Sequence, residues 1–238
     1  LNMLNCPTMS YGENTGEQQA DNITSGENDK SSFDIVHKGQ ALCRVSTTQL
    51  GEHSIENIIG CAAFVFSNKL VTPDEFTNAI DSFKGVLRRL DKKSEKTSIP
   101  MYEGFGSSYD KARSAIAAVK RGFPKRNLVV IFEPHTFSWR SRDTLHWYDD
   151  VFTGATRTYV YQPAAQGAGT HNQASHEDIM QRLNAANCNA VAISVPDEAL
   201  QRISHELEPN DVVLFLTSGD LGGLIETVPA FAERKFPI

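Results

Sequence analysis

Hydrophobic and polar positions follow different periodicities in the two parts of the chain. From about residue 99 onward, short apolar runs alternate with amphipathic segments, and the runs 128–132 and 212–216 are apolar throughout. Continuous runs of this length are typical of strands buried on both faces of a parallel sheet. Their alternation with helical segments predicts an α/β domain with a Rossmann-like, doubly wound and mostly parallel sheet.

The first part of the chain does not fit that pattern. Residues 10–32 are rich in Gly, Asn, Asp, Glu and Ser, which predicts loop or weakly ordered chain. The alternating runs 32–37 and 41–45 flank Lys38-Gly39 and predict an antiparallel β-hairpin. We interpret this hairpin as the tail of a preceding domain.

Two helices are predicted between the hairpin and the α/β domain. Apolar residues at helical spacing predict the first over 51–68. Thr72 as N-cap, followed by Pro73 and two acids, predicts the start of the second. We further expect a solvated turn at 92–96, a short strand at 99–102, and loops at 104–108 and 164–172. The segment 144–152 is predicted to be helical.

Composition narrows the functional class. The 238 residues carry a net charge of −6, which argues against general nucleic-acid binding. No apolar run approaches the roughly 20 residues that span a membrane, and the N-terminus has no signal-peptide pattern. The cysteines lack CxxC pairs and no cluster has zinc-ligand spacing, so we expect reduced thiols, no metal site and a cytoplasmic protein. Because the chain begins with Leu, we expect a fragment.

A polar, cationic cluster follows the strand 128–132 directly. Pro134 ends the strand, and five polar or charged residues come next: His135, Thr136, Ser138, Arg140 and Arg142. Ligands of open α/β sheets bind beyond the carboxyl ends of the strands. Two arginines near a histidine suit a carboxylate or phosphate, since a guanidinium can hold two oxygens at once.

The turn after the last strand is a second candidate site. Its small residues, which include Ser218 and Asp220, leave backbone N–H groups open at a helix N-terminus, where anions bind well. The same sequence suits a tight strand-to-helix turn equally well, and both interpretations stay open. The pattern G-x-x-x-x-G-K-[ST] does not occur, which argues against a self-contained P-loop nucleotidase.

Four segments, in order, resemble motifs of the Mur ligases, the ATP-dependent ligases that build the peptidoglycan stem peptide. Residues 51–57 resemble G-x-H-N-x-x-N, and 85–91 are similar to G-x-x-R-R-x-[DE]. Residues 132–140 resemble F-Q-P-H-R-Y-S-R, and 218–222 resemble the end of G-A-G-D-I-G. These last two belong to the branch that contains the UDP-N-acetylmuramate–L-alanine and UDP-N-acetylmuramate:tripeptide ligases.

This resemblance implies the domain organisation and the activity. Residues 1–50 and 51–98 would end the central ATPase domain, and 99–238 would form the C-terminal Rossmann-like domain. The full-length protein would use ATP and Mg²⁺, through a central domain missing here, to join an amino acid or peptide to UDP-N-acetylmuramate. The chain alone is expected to have no ligase activity and at most weak nucleotide binding.

The resemblance also implies which residues meet ATP. His53, Ser54 and Asn57 would lie by the adenine, with Ser54 standing where the family has Asn. Arg89 would reach the phosphates and count as catalytic.

Two further ATP contacts are hypotheses. Gly104 and Ser107 replace an Asp and a His of the family's D-D-Y-A-H-x-P segment. Glu103 is therefore expected to take the acidic role, and Lys111 to meet phosphate.

The substrate side follows from the motif at 132–140. His135, also implied to be catalytic, and Arg140 would face the incoming amino acid or peptide. Thr136 replaces an Arg of the motif, which removes one carboxylate clamp and fits an altered amino-acid substrate. The remaining substrate-binding candidates are Ser138, Arg142, Ser218 and Asp220.

Two rival functions remain. The changes at Gly104 and Ser107 favour a non-catalytic binding or interaction module that has kept the fold. A Rossmann-like dehydrogenase is a weaker alternative, because no G-x-G-x-x-G follows the first strand.

Overall fold

The computed structural model describes residues 8–25, 30–162 and 172–238, and it divides the chain into two compact units, Leu1–Gly85 and Val86–Ile238. The mixed α/β class predicted from the sequence is confirmed, with a six-stranded sheet in the second unit and a small separate sheet in the first. Cys6 and residues 164–171 of the predicted loop lie outside the described residues.

The first unit contains a sheet with the order β1-β2-β3-β4. Its strands are β1 (Tyr11–Gly12), β2 (Gln18–Ser25), β3 (Ser31–His37) and β4 (Gln40–Thr47). The predicted hairpin is confirmed as the antiparallel pair β3–β4. The prediction of loop throughout 10–32 is wrong, because β2 pairs antiparallel with β3 and so satisfies its backbone groups despite its polar side chains.

Helices α1 (Glu52–Ser67) and α2 (Pro73–Ser82) cover this small sheet and confirm the predicted pair. A capping box between Thr72 and Glu75 begins α2, as the sequence indicates. The core of the unit forms where apolar residues of both helices meet the sheet, and it includes Phe33, Ile35, Val45, Ile55, Ile59 and Phe76.

The second unit is built on a sheet with the order β5-β6-β10-β7-β8-β9. The strands are β5 (Arg89–Lys92), β6 (Met101–Phe105), β7 (Asn127–Phe132), β8 (Arg157–Tyr161), β9 (Ala190–Ile193) and β10 (Asp211–Thr217). Strands β6 to β10 are parallel neighbours, whereas β5 runs antiparallel to β6 at the edge. The mostly parallel sheet is therefore confirmed.

Several local predictions in this unit are wrong. Lys92 is the last residue of β5 rather than part of a turn, because pairing with β6 extends the edge of the sheet. Strand β6 runs to Phe105, so Gly104 is a strand residue opposite Leu216. The helix predicted over 144–152 is confirmed only in its first part, where a 3₁₀ helix spans Arg142–Asp149 and turns follow it.

Helices cover both faces of this sheet. They are α3 (Tyr109–Gly122), the short α4 (Phe137–Arg140), α5 (His176–Ala185), α6 (Pro196–Glu206) and α7 (Leu224–Lys235). On one face, α6 and α7 pack on alternate residues of the strands, such as Ile131 and Phe215. On the other face, Phe132 contacts Trp139, Tyr148 and Phe152. Among the described residues, no helix is both long and apolar enough to cross a membrane.

Strand order decides where the site can form. β10, the last strand in the chain, lies between β6 and β7, and Leu216 is in register with both Gly104 and Phe132. Three strand ends that are distant in sequence therefore meet at one edge of the sheet. Parallel strands put all their carboxyl ends on that edge, where ligands of this architecture bind.

Candidate functional site

The carboxyl edge of the sheet brings together two buried acids and a buried hydroxyl. Glu103 lies on β6, Glu133 follows β7, and Thr217 ends β10, and each is at most 5% exposed. Buried polar groups of this kind need partners, because an unpaired buried charge is costly. Their partners connect the three strands.

Glu103 is held by two cations. Its carboxylate accepts from Arg88 Nε at 2.9 Å and from Lys93 Nζ at 2.8 Å. Burial raises the pKa of Glu103, but the hydrogen bonds and positive charges of Lys93 and Arg88 outweigh burial and hold the pKa below its ordinary value. The side chain is therefore an anion committed to these partners at neutral pH.

Arg88 extends the network to the turn after β10. Its Nη2 donates to the backbone carbonyl of Gly219 at 2.5 Å. The Gly219 N–H donates to Thr217 Oγ1 at 2.8 Å, and the Thr217 hydroxyl donates to Glu133 Oε2 at 2.6 Å. A continuous chain of hydrogen bonds thus runs from Glu103 to Glu133 along this edge.

Glu133 ends the chain beside an imidazole. Its Oε2 also accepts the N–H of Leu221 at 3.2 Å, and its Oε1 lies 3.4 Å from His135 Nδ1. A Cβ atom on Gly219 would come within 2.6 Å of His135 Nδ1 and 2.7 Å of Glu133 Oε2. The pair therefore packs directly on the Gly219 backbone, at a position that only glycine fills without a clash.

The loop after β7 is tied to the loop after β6. Thr136 Oγ1 donates to the carbonyl of Ser107 at 3.0 Å and lies 3.1 Å from Ser138 Oγ. The buried Trp139 donates from Nε1 to the carbonyl of Gly106 at 2.7 Å. These bonds hold the loop that carries His135 against the loop after β6.

Two buried polar atoms at this end of the sheet lack partners among the described residues: Arg140 Nε and Ser218 Oγ. Arg140 is only 8% exposed, so the positive charge of its side chain is largely removed from water. Because a buried donor without a partner is costly, this N–H of the guanidinium favours an anionic ligand.

Other predicted residues have protein partners. Arg142 pairs with Asp178 at 2.6 Å, and Asp178 caps α5. The Asp220 carboxylate accepts from Gly222 N–H at 3.1 Å, which supports the tight-turn interpretation of that segment. Lys111 Nζ donates to Ser107 Oγ at 3.1 Å and lies 5.3 Å from the centre of the Phe105 ring.

Four residues predicted to contact ATP are not members of this network. His53 and Asn57 are exposed on α1 of the first unit, and the Ser54 hydroxyl donates to the carbonyl of Leu50 at 2.8 Å. Arg89 is exposed on β5, while its neighbour Arg88 holds Glu103. The described residues contain no group of three or more His, Cys, Asp or Glu side chains able to hold a metal ion.

Sequence reasoning missed several members of the network, among them Arg88, Lys93, Glu133 and Thr217. Glu133 and Thr217 directly follow or end apolar strands, and that position is the signal that could have found them. Arg88 carries no comparable signal, because its contact with Glu103 depends on the pairing of β5 with β6.

Comparison with known proteins gives a consistent set of relatives, although no family model matches the chain. It is 24% identical to the UDP-N-acetylmuramate--L-alanine ligase of Clostridium botulinum over 93% of this chain and 47% of the relative. It is 27% identical to the ligase of the same name from Desulforapulum autotrophicum, over 88% and 46% respectively. The chain thus spans about half the length of the curated relatives it matches.

Solved structures share the fold. The UDP-N-acetylmuramate-alanine ligase from Thermotoga maritima matches with a TM-score of 0.72 and 19% identity, covering 95% of this chain and 47% of that one. The MurF ligase from the same organism, solved in complex with ADP, matches with a TM-score of 0.66 and 14% identity over 94% and 48%.

Proposed function

Since the chain belongs to the Mur ligase family, we propose that it is the C-terminal part of an ATP-dependent amide ligase that joins an amino acid or peptide to UDP-N-acetylmuramate in the cytoplasm. The reaction forms an acyl phosphate on the substrate carboxylate, which the incoming amine then attacks. Residues 1–50 and 51–98 would complete the ATPase domain, and 99–238 would bind the incoming amine.

The observation that carries this proposal is the buried Arg140 guanidinium, whose Nε has no partner among the described residues. It follows the strand end where ligands of this fold bind, and a free amino acid or peptide brings a carboxylate that a guanidinium can hold. His135, Thr136 and Ser138 lie on the same loop and would complete the recognition of that substrate. Ser218, whose buried hydroxyl also has no partner within the described part of the chain, is assigned to the same role.

Two further residues predicted to bind the substrate already have partners within the protein, which weakens their assignment. Arg142 already pairs with Asp178, and Asp220 caps its own turn. Either residue would have to exchange a protein partner for the ligand.

ATP contacts are proposed for exposed groups. Arg89 and Lys111 would meet the phosphates, and His53, Ser54 and Asn57 the adenine. Glu103 is held by Arg88 and Lys93, so its proposed role is to position these cations near the nucleotide. Mg²⁺ would be held by residues outside this chain and would neutralise charge on the phosphates during transfer.

One observation favours the alternative of a non-catalytic binding module. Glu103, the acid expected to contact nucleotide, is committed to two cations, and Gly104 beside it contributes no side chain. A module would keep the anion site of Arg140 without supporting ligation.

The test is phosphate release by the full-length gene product from ATP, with UDP-N-acetylmuramate and a panel of amines: L-alanine, L-serine, glycine and the tripeptide. Amine-dependent release that Arg140→Met abolishes and Arg142→Met largely retains supports the ligase and its substrate site. Release that does not depend on any amine contradicts it. No release by the wild type favours the binding module. The 238-residue chain alone is expected to release none.

A further inference from the structure

We propose that His135 is the proton acceptor for the incoming amine and that Glu133 is the positioning residue that orients its imidazole. This assignment rests on the ligase function proposed above and adds a role for a residue that the resembled motif does not contain. The motif has Gln where this chain has Glu133, so the carboxylate beside the histidine is a feature of this sequence.

The geometry defines the tautomer. Glu133 Oε1 lies 3.4 Å from His135 Nδ1, and a carboxylate can only accept, so Nδ1 carries the hydrogen and donates it. Nε2 is then the unprotonated nitrogen with a free lone pair. His135 has a side chain 31% exposed while that of Glu133 is 6% exposed, so the imidazole can reach a ligand and the acid cannot.

Hydrogen bonds hold the Glu133 carboxylate in the position that orients the imidazole of His135. Thr217 Oγ1 and the Leu221 N–H bind its Oε2, which leaves Oε1 directed to the imidazole. Gly219 packs against both side chains and limits how far either can rotate. A glutamine amide at this position can present either an oxygen or an NH₂ group to Nδ1, so it does not impose one tautomer.

Other charged or titratable groups lie around the pair. Asp220 follows Gly219, Tyr161 ends β8 against Gly222, and Arg88 binds the Gly219 carbonyl. Burial raises the pKa of the Tyr161 hydroxyl, with smaller contributions in the same direction from Glu133 and Asp220, so this group stays neutral near neutral pH.

Proton transfer precedes attack by the amine. An incoming ammonium group transfers one proton to His135 Nε2, and the lone pair left on nitrogen attacks the carbonyl carbon of the acyl phosphate. The C–N bond forms, the C–O bond to phosphate breaks, and the departing phosphate takes the second proton from nitrogen. The imidazolium then returns its proton to water.

Hydroxylamine separates proton removal from the rest of the reaction. It is a neutral nucleophile near neutral pH and traps the acyl phosphate as a hydroxamate without a proton acceptor. The full-length wild type would be assayed for both amide and hydroxamate formation beside four variants. These are Glu133→Gln, His135→Gln, His135→Ala and the control Glu95→Gln, which changes an exposed side chain. The amine substrate is the one that supports release by the wild type.

We expect His135→Gln to lower amide formation on the order of 10²-fold, and Glu133→Gln to lower it in the same direction, with a far smaller effect on the hydroxamate. The deficit should shrink as pH rises and the amine loses its own proton. Added imidazole should restore part of the amide formation in His135→Ala. Glu95→Gln should match the wild type in both reactions.

Equal loss of amide and hydroxamate in both variants would overturn the assignment, because it would place the pair in acyl-phosphate formation or in folding. Unchanged amide formation in His135→Gln would also overturn it. A wild type that forms neither product would instead contradict the proposed ligase function, so the two failures are distinguishable.

Discussion

The guanidinium of Arg88 lies 2.9 Å from the buried carboxylate of Glu103, although the two residues are 15 positions apart in the chain. Arg88 belongs to the segment that precedes the antiparallel edge strand β5, and Glu103 lies on the neighbouring strand β6. The same guanidinium binds the Gly219 carbonyl after β10. Arg88 therefore connects the segment before the edge strand β5 with strand β6 and with the turn after β10.

Removal of the Glu103 charge should destabilise the protein. Glu103→Gln leaves Arg88 and Lys93 without their shared anion. Because only the acid is fully buried, we expect a loss of about 2–3 kcal/mol in the free energy of unfolding, less than for a pair buried on both sides. Urea denaturation measures this quantity. The matched control is Glu95→Gln, whose ion pair with Lys92 is 79% exposed on the acid side and should change stability by less than about 0.5 kcal/mol. Equal effects of the two variants would contradict the importance of burial.

The stabilising effect of Glu103 should depend on pH. Its folded pKa lies below the ordinary value of 4.5, so the folded state binds its proton less readily than the unfolded state does. The contribution is complete above pH 4.5 and is lost as pH falls through the folded pKa. The difference in unfolding free energy between wild type and Glu103→Gln should therefore shrink on acidification. A difference that stays constant down to acid pH would show that the charge of Glu103 is not its source.

Arg140→Met should separate stability from function. The variant removes a buried guanidinium whose Nε has no partner in the ranges 8–25, 30–162 and 172–238, and it fills the same space with an apolar chain. This change should raise the free energy of unfolding by about 1 kcal/mol. It should also abolish amine-dependent phosphate release by the full-length protein. Thermal denaturation and the release assay would be run on the same preparations.

The control for this variant is Arg142→Met, which loses an exposed pair with Asp178 and should lower stability slightly. A loss of stability in Arg140→Met larger than that in Arg142→Met would contradict the view that Arg140 is kept for ligand binding.

Gly219→Ala should disturb the site through a clash. The added Cβ would lie within 2.6 Å of His135 Nδ1 and 2.7 Å of Glu133 Oε2, so one of these side chains must move. We expect a loss of about 1–3 kcal/mol in unfolding free energy and a lowered rate of amide formation. Gly223→Ala is the control in the same turn, because its Cβ would meet nothing within 4 Å and only the positive φ of 77° would add strain. The outcome that would contradict this account is equal loss of amide formation in both variants.

The sequence predicted secondary structure well in segments whose structure depends on signals within a few residues. The capping box at Thr72, the apolar run of β7 and the turn of the β3–β4 hairpin each act within a few residues, so they are visible in the sequence. Strand β2 was missed because its side chains are mostly polar and do not show the alternation of a strand. Its backbone is stabilised by pairing with β3. Strand β5 was missed for the same reason at the edge of the second sheet.

The sequence predicted where the candidate site lies, because the segment follows a strand, but it did not predict what each side chain contacts. The cluster His135 to Arg142 was found because it follows a clear buried strand. The contacts of its members differ: Arg142 pairs with Asp178, whereas the buried Arg140 Nε has no partner among the residues that the structure describes. Side-chain partners depend on neighbours far along the chain, and the sequence around each arginine does not distinguish them.

By itself, the sequence determined the α/β class, the two helices that follow the hairpin, the family resemblance and the strand end at which the chemistry was expected. These properties come from periodicity, capping and short motifs, all of which are local. Only the tertiary structure decided that β10 enters between β6 and β7 and so joins Glu103, Arg88, Gly219, Thr217, Glu133 and His135 into one network. Strand order is set by how helices and strands bury their apolar faces together, a property of the whole domain that no single segment encodes.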